Sequence, residues 1–351
     1  MRFVRQRPPS SGPIRLGLVG LGAWGHQVAL AAEQDPTVEL AACYARSVEG
    51  RSSFAERYGC LACVSYEQLI TDTTIDGIVV MTPNRTHRDL VVEAAGHGKH
   101  CLVTKPIATT VKDGMAMISA CRNAGVLLAV GHQSRREPAI RCLKQKLEAG
   151  ELGRPVLVEC NISTGRGAEI RSNEWRWSRE ECPGGPLIQL GIHHVDTLQY
   201  LFGPLVRVLG RQGKFVALGE MDDATCTLIE FENGMIGYLG SSYSSSQACW
   251  IRVYASEFNA CYDQHTGLVL CQDSWAQGAV RHSAAPGIDL TQTPIPTMRE
   301  EVAEFVACVR TGRSPEIGGH AGLRNLAVVL AAVESNQTGH PVLVDDLLGA
   351  D

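Results

Sequence analysis

The chain has 351 residues, of which 44% are hydrophobic and 20% charged, enough to bury more than one core and to exclude intrinsic disorder. Its 32 Lys and Arg against 37 Asp and Glu leave a net charge of −5, which argues against nucleic acid as the main partner, because phosphate binding needs a basic face. No apolar stretch runs to the ~18 residues of a membrane helix without Gly, Pro or charge, and the length suggests about two domains.

Residues 1–13 carry Arg2, Arg5, Arg7, Pro8, Pro9 and Pro13 but no apolar run of the kind a signal peptide needs, and read as a mobile tail. From Ile14 the chain alternates short apolar runs with helical patterns. The runs are Ile14–Gly20, Val38–Ala45, Gly77–Thr82, His100–Thr104 and Val126–Gly131. Helical patterns lie near Gln27–Glu33, Arg51–Tyr58, Arg88–Gly96 and Lys112–Asn123. Apolar runs without alternation predict strands buried on both faces, hence a parallel sheet in a doubly wound α/β domain over 14–135. After a helix at Ala139–Glu148 the pattern changes. Strand-like stretches at Pro155–Ser163, Val206–Arg211, Ala224–Glu232, Met235–Ser241, Ile251–Tyr254 and Leu268–Leu270 are separated by turns, which predicts a mainly antiparallel sheet in an α+β domain over 136–351. A helix near Pro186–Phe202 interrupts it, and amphipathic helices near Arg299–Arg310 and Leu323–Ser335 close the chain.

The 13 cysteines are odd in number and irregular in spacing, which fits small apolar packing residues in a reducing cytoplasm rather than a disulfide framework. Cys60 and Cys63 have metal-like spacing without a second pair nearby, so no metal is expected.

The first strand runs into Gly20-Leu21-Gly22-Ala23-Trp24-Gly25, a G-x-G-x-x-G between strand and helix. Gly20 permits the tight turn, Gly22 lets backbone approach a pyrophosphate, and Gly25 lets helix and strand pack closely. An acid about 20 residues further on would mark NAD. That place is Ala45-Arg46-Ser47 and holds no carboxylate; Arg46 can pair with a 2′-phosphate and Ser47 can donate to it, so NADP is preferred over NAD.

Three further stretches follow: Thr82-Pro83-Asn84-Arg85-Thr86-His87, Thr104-Lys105-Pro106, and Pro183-Gly184-Gly185 running on to Gln189, His193, His194 and Asp196. With the glycine loop, they make the chain resemble the glucose–fructose oxidoreductase / inositol dehydrogenase / MocA family from Ile14 to Val344. The resemblance implies an N-terminal Rossmann domain, a C-terminal domain with an open, mostly antiparallel sheet, and homodimers or homotetramers formed through that sheet. It also implies hydride transfer between NAD(P) and a secondary alcohol or ketone of a sugar, sugar derivative or polyol.

The family's Glu-Lys-Pro carries its catalytic lysine at Lys105, with Thr104 here in place of the usual Glu. His193 matches the family's histidine, and its imidazole suits proton transfer near neutral pH. Gln189 replaces the Asp that many relatives place four residues before this histidine; an amide can hydrogen-bond a substrate hydroxyl but cannot exchange its proton. Asp196, three residues beyond His193, shares its helical face and is expected to orient the ring or hold substrate. His194 points elsewhere and reads as packing. By analogy with relatives, Thr82, Asn84, His87, Thr104, Gln133 and Arg176 are expected at the cofactor, Trp175 beside nicotinamide and substrate, and His132 and Arg135 within reach of substrate. Two alternatives remain open: an NAD-dependent glycosidase of the same family, and a non-catalytic dinucleotide-binding regulator.

Overall fold

The computed structural model describes residues 12–274 and 278–349; most of the expected N-terminal tail, residues 1–11, lies outside them. The chain clusters into two compact units, one of residues up to Gln133 with Leu290–Leu323, the other of Ser134–Asp289 with the residues from Arg324 onward.

In the first unit, strands β1 (Ile14–Val19), β2 (Val38–Tyr44), β3 (Leu61–Ala62), β4 (Gly77–Val80), β5 (His100–Thr104) and β6 (Leu128–Gly131) alternate with helices α1 (Ala23–Glu33), α2 (Val48–Tyr58), α3 (Tyr66–Thr71), α4 (His87–Gly96) and α5 (Val111–Ala124). All strand pairs are parallel, in the order β3-β2-β1-β4-β5-β6. Every residue of β4 and β6 is buried, as strands covered on both faces require. The short β3 and α3 lacked a sequence signal: two residues cannot show a period, and α3 is a single capped turn and a half, with Ser65 accepting from Gln68 N. Parallel pairing sends the C-terminal ends of β1, β4 and β5 to one edge, where an open α/β sheet binds ligands.

The second unit begins with α6 (Pro138–Glu148), β7 (Pro155–Ser163) and α7 (Ile192–Phe202), and continues through β8 (Leu205–Gly213), β9 (Ala224–Phe231), β10 (Ile236–Ser242), β11 (Ala248–Ala255), β12 (Asn259–Asp263), β13 (Gly267–Ser274) and β14 (Gly278–Ala285). Helices α8 (Pro296–Thr311) and α9 (Gly319–Thr338), strand β15 (Val342–Leu343) and helix α10 (Val344–Leu348) follow. Nine strands form one sheet in the order β14-β13-β12-β11-β7-β10-β9-β8-β15. β7 and β10 run parallel, and the other neighbours run antiparallel.

Helix α8, late in sequence, packs with the first unit. Its Met298, Val302, Phe305 and Val306 join Ile14, Leu16, Val28 and Ala29 in one buried cluster. A fully buried Phe such as Phe305 contributes about 1.5–3 kcal/mol in removed apolar surface. In the second unit α9 lies close on β8: a Cβ at Gly210 would strike the Ala332 backbone, and Ser335 Oγ accepts from Gly210 N at 3.0 Å.

Beneath α6, Glu137 is 3% exposed and its carboxylate accepts from the Tyr262 hydroxyl and from Gln264 Nε2 at 3.2 Å. Burial pushes this acid up to about 7, against the pull of the two hydrogen bonds. An unfolded glutamate titrates near about 4.3. Between those values the folded chain holds the extra proton, so the contribution of Glu137 to stability is full below the lower value and falls as pH rises through the higher one. Urea midpoints of Glu137→Gln should lack this decline between about pH 4 and 7; a decline as steep as that of the unmodified chain would contradict the assignment.

Candidate active site

In the first unit the glycine motif makes the turn from β1 into α1. Gly20 has φ +93°, and a Cβ there would fall against the Met81 carbonyl just after β4. A Cβ at Gly25 would strike the Gly20 carbonyl. Only glycine admits this approach of turn, helix and neighbouring strand. Gly22, the N-cap, has open space where its Cβ would be and supplies no side-chain cap. The first N–H groups of α1 are thus available to an anion, which fits a dinucleotide pyrophosphate. Ala23 and Trp24 sit exposed on the first turn of this helix, Trp24 at 43%.

At the end of β2, Arg46 is exposed. Ser47 caps α2 by accepting from Gly50 N at 3.0 Å. Arg51, which the sequence reading passed over, donates to the Ala45 carbonyl at 3.2 Å and shapes the loop from behind.

The loop after β4 carries Thr82 and the buried Asn84, which opens a single 3-10 turn, Asn84–Thr86. Thr86 Oγ1 donates to Thr82 Oγ1 at 2.7 Å. His87, expected at the cofactor, is instead wholly buried with both ring nitrogens on backbone: Nδ1 lies 3.0 Å from the Pro106 carbonyl and Nε2 2.9 Å from that of Thr82. The ring has no nitrogen left for a ribose. Burial lowers its pKa, and the carbonyls oppose the shift. Thr104 and Lys105 are half-buried at the end of β5, and the Lys105–Pro106 peptide is cis. Gln133, half-buried, opens the 3-10 turn Gln133–Arg136 after β6, and His132 before it is wholly buried.

In the second unit the expected helix over 186–202 begins as a π-helical segment, Leu187–Gly191, before α7. Such segments are rare and concentrate at functional sites. Gln189 lies within it, buried, with Nε2 donating to Cys182 Sγ at 3.3 Å. His193 is 8% exposed, with Nδ1 3.2 Å from Ser134 Oγ. His194 takes the packing role: its Nε2 donates to the Asn161 carbonyl at 3.0 Å, and burial pushes its pKa down to about 4, which keeps it neutral.

Asp196 and Arg135 depart from expectation. Asp196 is fully buried and receives a bidentate pair from Arg135, Nε to Oδ2 at 2.7 Å and Nη2 to Oδ1 at 2.6 Å. Asn325 Nδ2 also donates to Oδ1 at 2.7 Å. Arg135 further stacks over Tyr200 at 5.0 Å. With Asn325 the two residues hold the 134–136 turn, α7 and α9 to one another, and the carboxylate is committed to this network rather than to the His193 ring or a substrate hydroxyl. Trp175 and Arg176 form a 3-10 turn in which the guanidinium lies 4.2 Å over the indole. Among the described residues no group of three or more His, Cys, Asp or Glu is placed to hold a metal ion.

A family model described as an oxidoreductase family with an NAD-binding Rossmann fold matches residues 14–132, and one described as the GFO/IDH/MocA C-terminal domain matches residues 140–259. A crystal structure from Desulfitobacterium hafniense, provisionally named an NADPH-dependent oxidoreductase, is 30% identical with a TM-score of 0.89, covering 97% of this chain and all of that one. The 1,5-anhydro-D-fructose reductase of Ensifer adhaerens is 25% identical over 94% of this chain and 98% of its own length. The scyllo-inositol 2-dehydrogenase (NAD(+)) of Bacillus subtilis is 25% identical over 95% and 96%.

Removing one partner of a buried, hydrogen-bonded ion pair strands the other charge, at a cost of about 3–5 kcal/mol. Asp196→Ala should lower unfolding free energy by that amount in a denaturant titration; a stable variant that loses only substrate affinity would return Asp196 to the substrate.

Proposed function

As a member of the GFO/IDH/MocA oxidoreductase family, the chain is an NAD(P)-dependent dehydrogenase or reductase, and we propose that it interconverts a secondary alcohol and ketone on a sugar, sugar derivative or polyol, using NADP in preference to NAD. The observation that carries this reading is the placement of Lys105 at the C-terminal end of β5, on the same edge of the parallel sheet as the uncapped N-terminus of α1.

Gly20 to Gly25 and the first turn of α1 would hold the dinucleotide phosphates, with Thr82 and Asn84 on the neighbouring loop toward the nicotinamide end. When bound, the nicotinamide accepts or supplies a hydride. Lys105 presents an amine that hydrogen-bonds the reacting oxygen and stabilises negative charge on it. His193, set against Ser134, takes or returns the hydroxyl proton. Gln189 donates and accepts hydrogen bonds but moves no proton. Retention of both Lys105 and His193 favours turnover over a purely regulatory dinucleotide site.

The absence of an acid at 45–47 and the exposed guanidinium of Arg46 support NADP. The names of similar proteins, which include a scyllo-inositol dehydrogenase and a 1,5-anhydro-D-fructose reductase, support a sugar or polyol substrate. A shallow depression of about 280 Å³ on the nine-stranded sheet is lined by Leu157, Leu209, Leu228, Ile236 and Tyr238 together with the charged Glu159, Arg207 and Glu230. Its exposed apolar side chains support assembly into a homodimer or homotetramer. Thirteen free cysteines support a reducing, cytoplasmic setting.

A panel of inositols, aldoses and 1,5-anhydro-D-fructose, followed by absorbance of the reduced nicotinamide, tests the reaction; release of a glycone with no net change in cofactor would indicate the glycosidase instead. Lys105→Ala should retain dinucleotide binding and lose at least about a hundredfold in kcat; full turnover would remove Lys105 from the chemistry. Arg46→Ala should weaken NADPH binding by about fivefold to tenfold and leave NADH unchanged, as loss of one charge-assisted contact predicts; equal losses in a fluorescence titration would defeat the phosphate assignment.

A further inference from the structure

His87 opens α4, a helix that packs on β5 and α5 and buries Val91, Ala94 and Ala95. Its ring therefore projects from a rigid base. The ring nitrogens address two carbonyls that belong to different loops: Thr82 in the loop after β4, and Pro106 one residue beyond Lys105 in the loop after β5. The ring is entirely shielded from solvent. Both carbonyls only accept. A neutral imidazole offers one N–H and an imidazolium two, so the ring always donates to one of the loops and donates to both when charged. Burial outweighs the carbonyls and lowers the ring's pKa, so near neutral pH the ring is uncharged and donates to one carbonyl at a time.

We infer that His87 is a positioning residue for Lys105: its imidazole, lodged between the Pro106 and Thr82 carbonyls and hydrogen-bonded to one of them at a time, fixes the direction in which the lysine leaves the end of β5. This rests on the reading of Lys105 as the catalytic amine. The chemistry needs that amine within hydrogen-bond reach of the reacting oxygen, and a misplacement of about 1 Å is enough to cost about a hundredfold. Histidine suits the position because its ring packs between the two loops and keeps a donor for one carbonyl, where phenylalanine would fill the space with none. The His87 ring does not itself touch the reacting atoms.

The test combines two variants with a measurement on the unaltered protein. His87→Phe should lower kcat by about tenfold to a hundredfold on whichever sugar or polyol the panel turns over, with NADPH affinity reduced far less. His87→Gln, which keeps one donor, should recover part of the loss. Crystal structures of the variants should show the Pro106 carbonyl and the Lys105 side chain displaced. In the unaltered protein, nitrogen-15 NMR should show a slowly exchanging ring N–H on His87 and no free titration near the ordinary value of about 6.5. A His87 ring that titrates as an exposed imidazole overturns the inference whether or not the variants fold. So does a folded His87→Phe with unchanged kcat and an unmoved Lys105, when Lys105→Ala is inactive. If Lys105→Ala is fully active, the catalytic reading itself has failed, and the NMR result still reports whether the hydrogen bond exists.

Discussion

The first unit depends on one close approach. At Gly20 the chain leaves β1 with φ +93° and passes directly against the Met81 carbonyl at the end of β4. Met81 N donates in turn to the Val19 carbonyl at 2.7 Å. That contact sets how far β1 runs before turning and where α1 begins, so it places the free N–H groups of the helix at the C-terminal edge of the sheet. A side chain at Gly20 would push β1 and β4 apart and carry the helix start away with them. The loops after β4 and β5 gather at the same edge because the strands are parallel, and the His87 ring lies between their backbone carbonyls.

The second unit is organised around a different interaction, the bidentate pair of Arg135 and Asp196 with Asn325 as third member. Three segments remote in sequence meet there. A buried ion pair of this kind gives little net stability compared with a well-packed apolar substitute, yet it penalises every arrangement in which one member is left alone. It thereby fixes the rotation of α7, and with it the direction in which His193, one turn earlier, presents its ring toward Ser134. His194, next in sequence, faces the sheet and is kept neutral by burial, so neighbouring histidines on one helix acquire opposite uses. The π-helical segment ahead of α7 shifts Gln189 relative to an ordinary helix and sends its amide to Cys182.

Much of this was legible in the sequence. Apolar runs and turn residues located most of the main strands and helices within a few residues, because burial on both faces leaves a continuous apolar signal and turns need particular residues. The glycine motif announced a dinucleotide turn because only glycine meets its steric demands. The absence of an acid after β2 was also plain. Elements that were missed are short or at an edge: β3 and β15 have two residues each, β12 has five, and β14 is an edge strand.

What the sequence by itself determined is therefore the class of fold, the dinucleotide turn and the identity of the groups available for chemistry, since each follows from local periodicity or from the steric limits of one residue. What only the tertiary structure decided is which partner each polar group takes. On spacing alone Asp196 read as orienting the His193 ring or holding substrate; its pairing with Arg135 spans 61 residues and that with Asn325 spans 129. His87 carried a motif position that suggested a ligand, and the fold gave it two carbonyls instead. Helix α8 carried no mark of the unit it would join until its apolar face met Ile14, Leu16 and Val28. Hydrogen bonds and apolar contacts between remote segments form in space, and their energies depend on burial that exists only once the chain has folded.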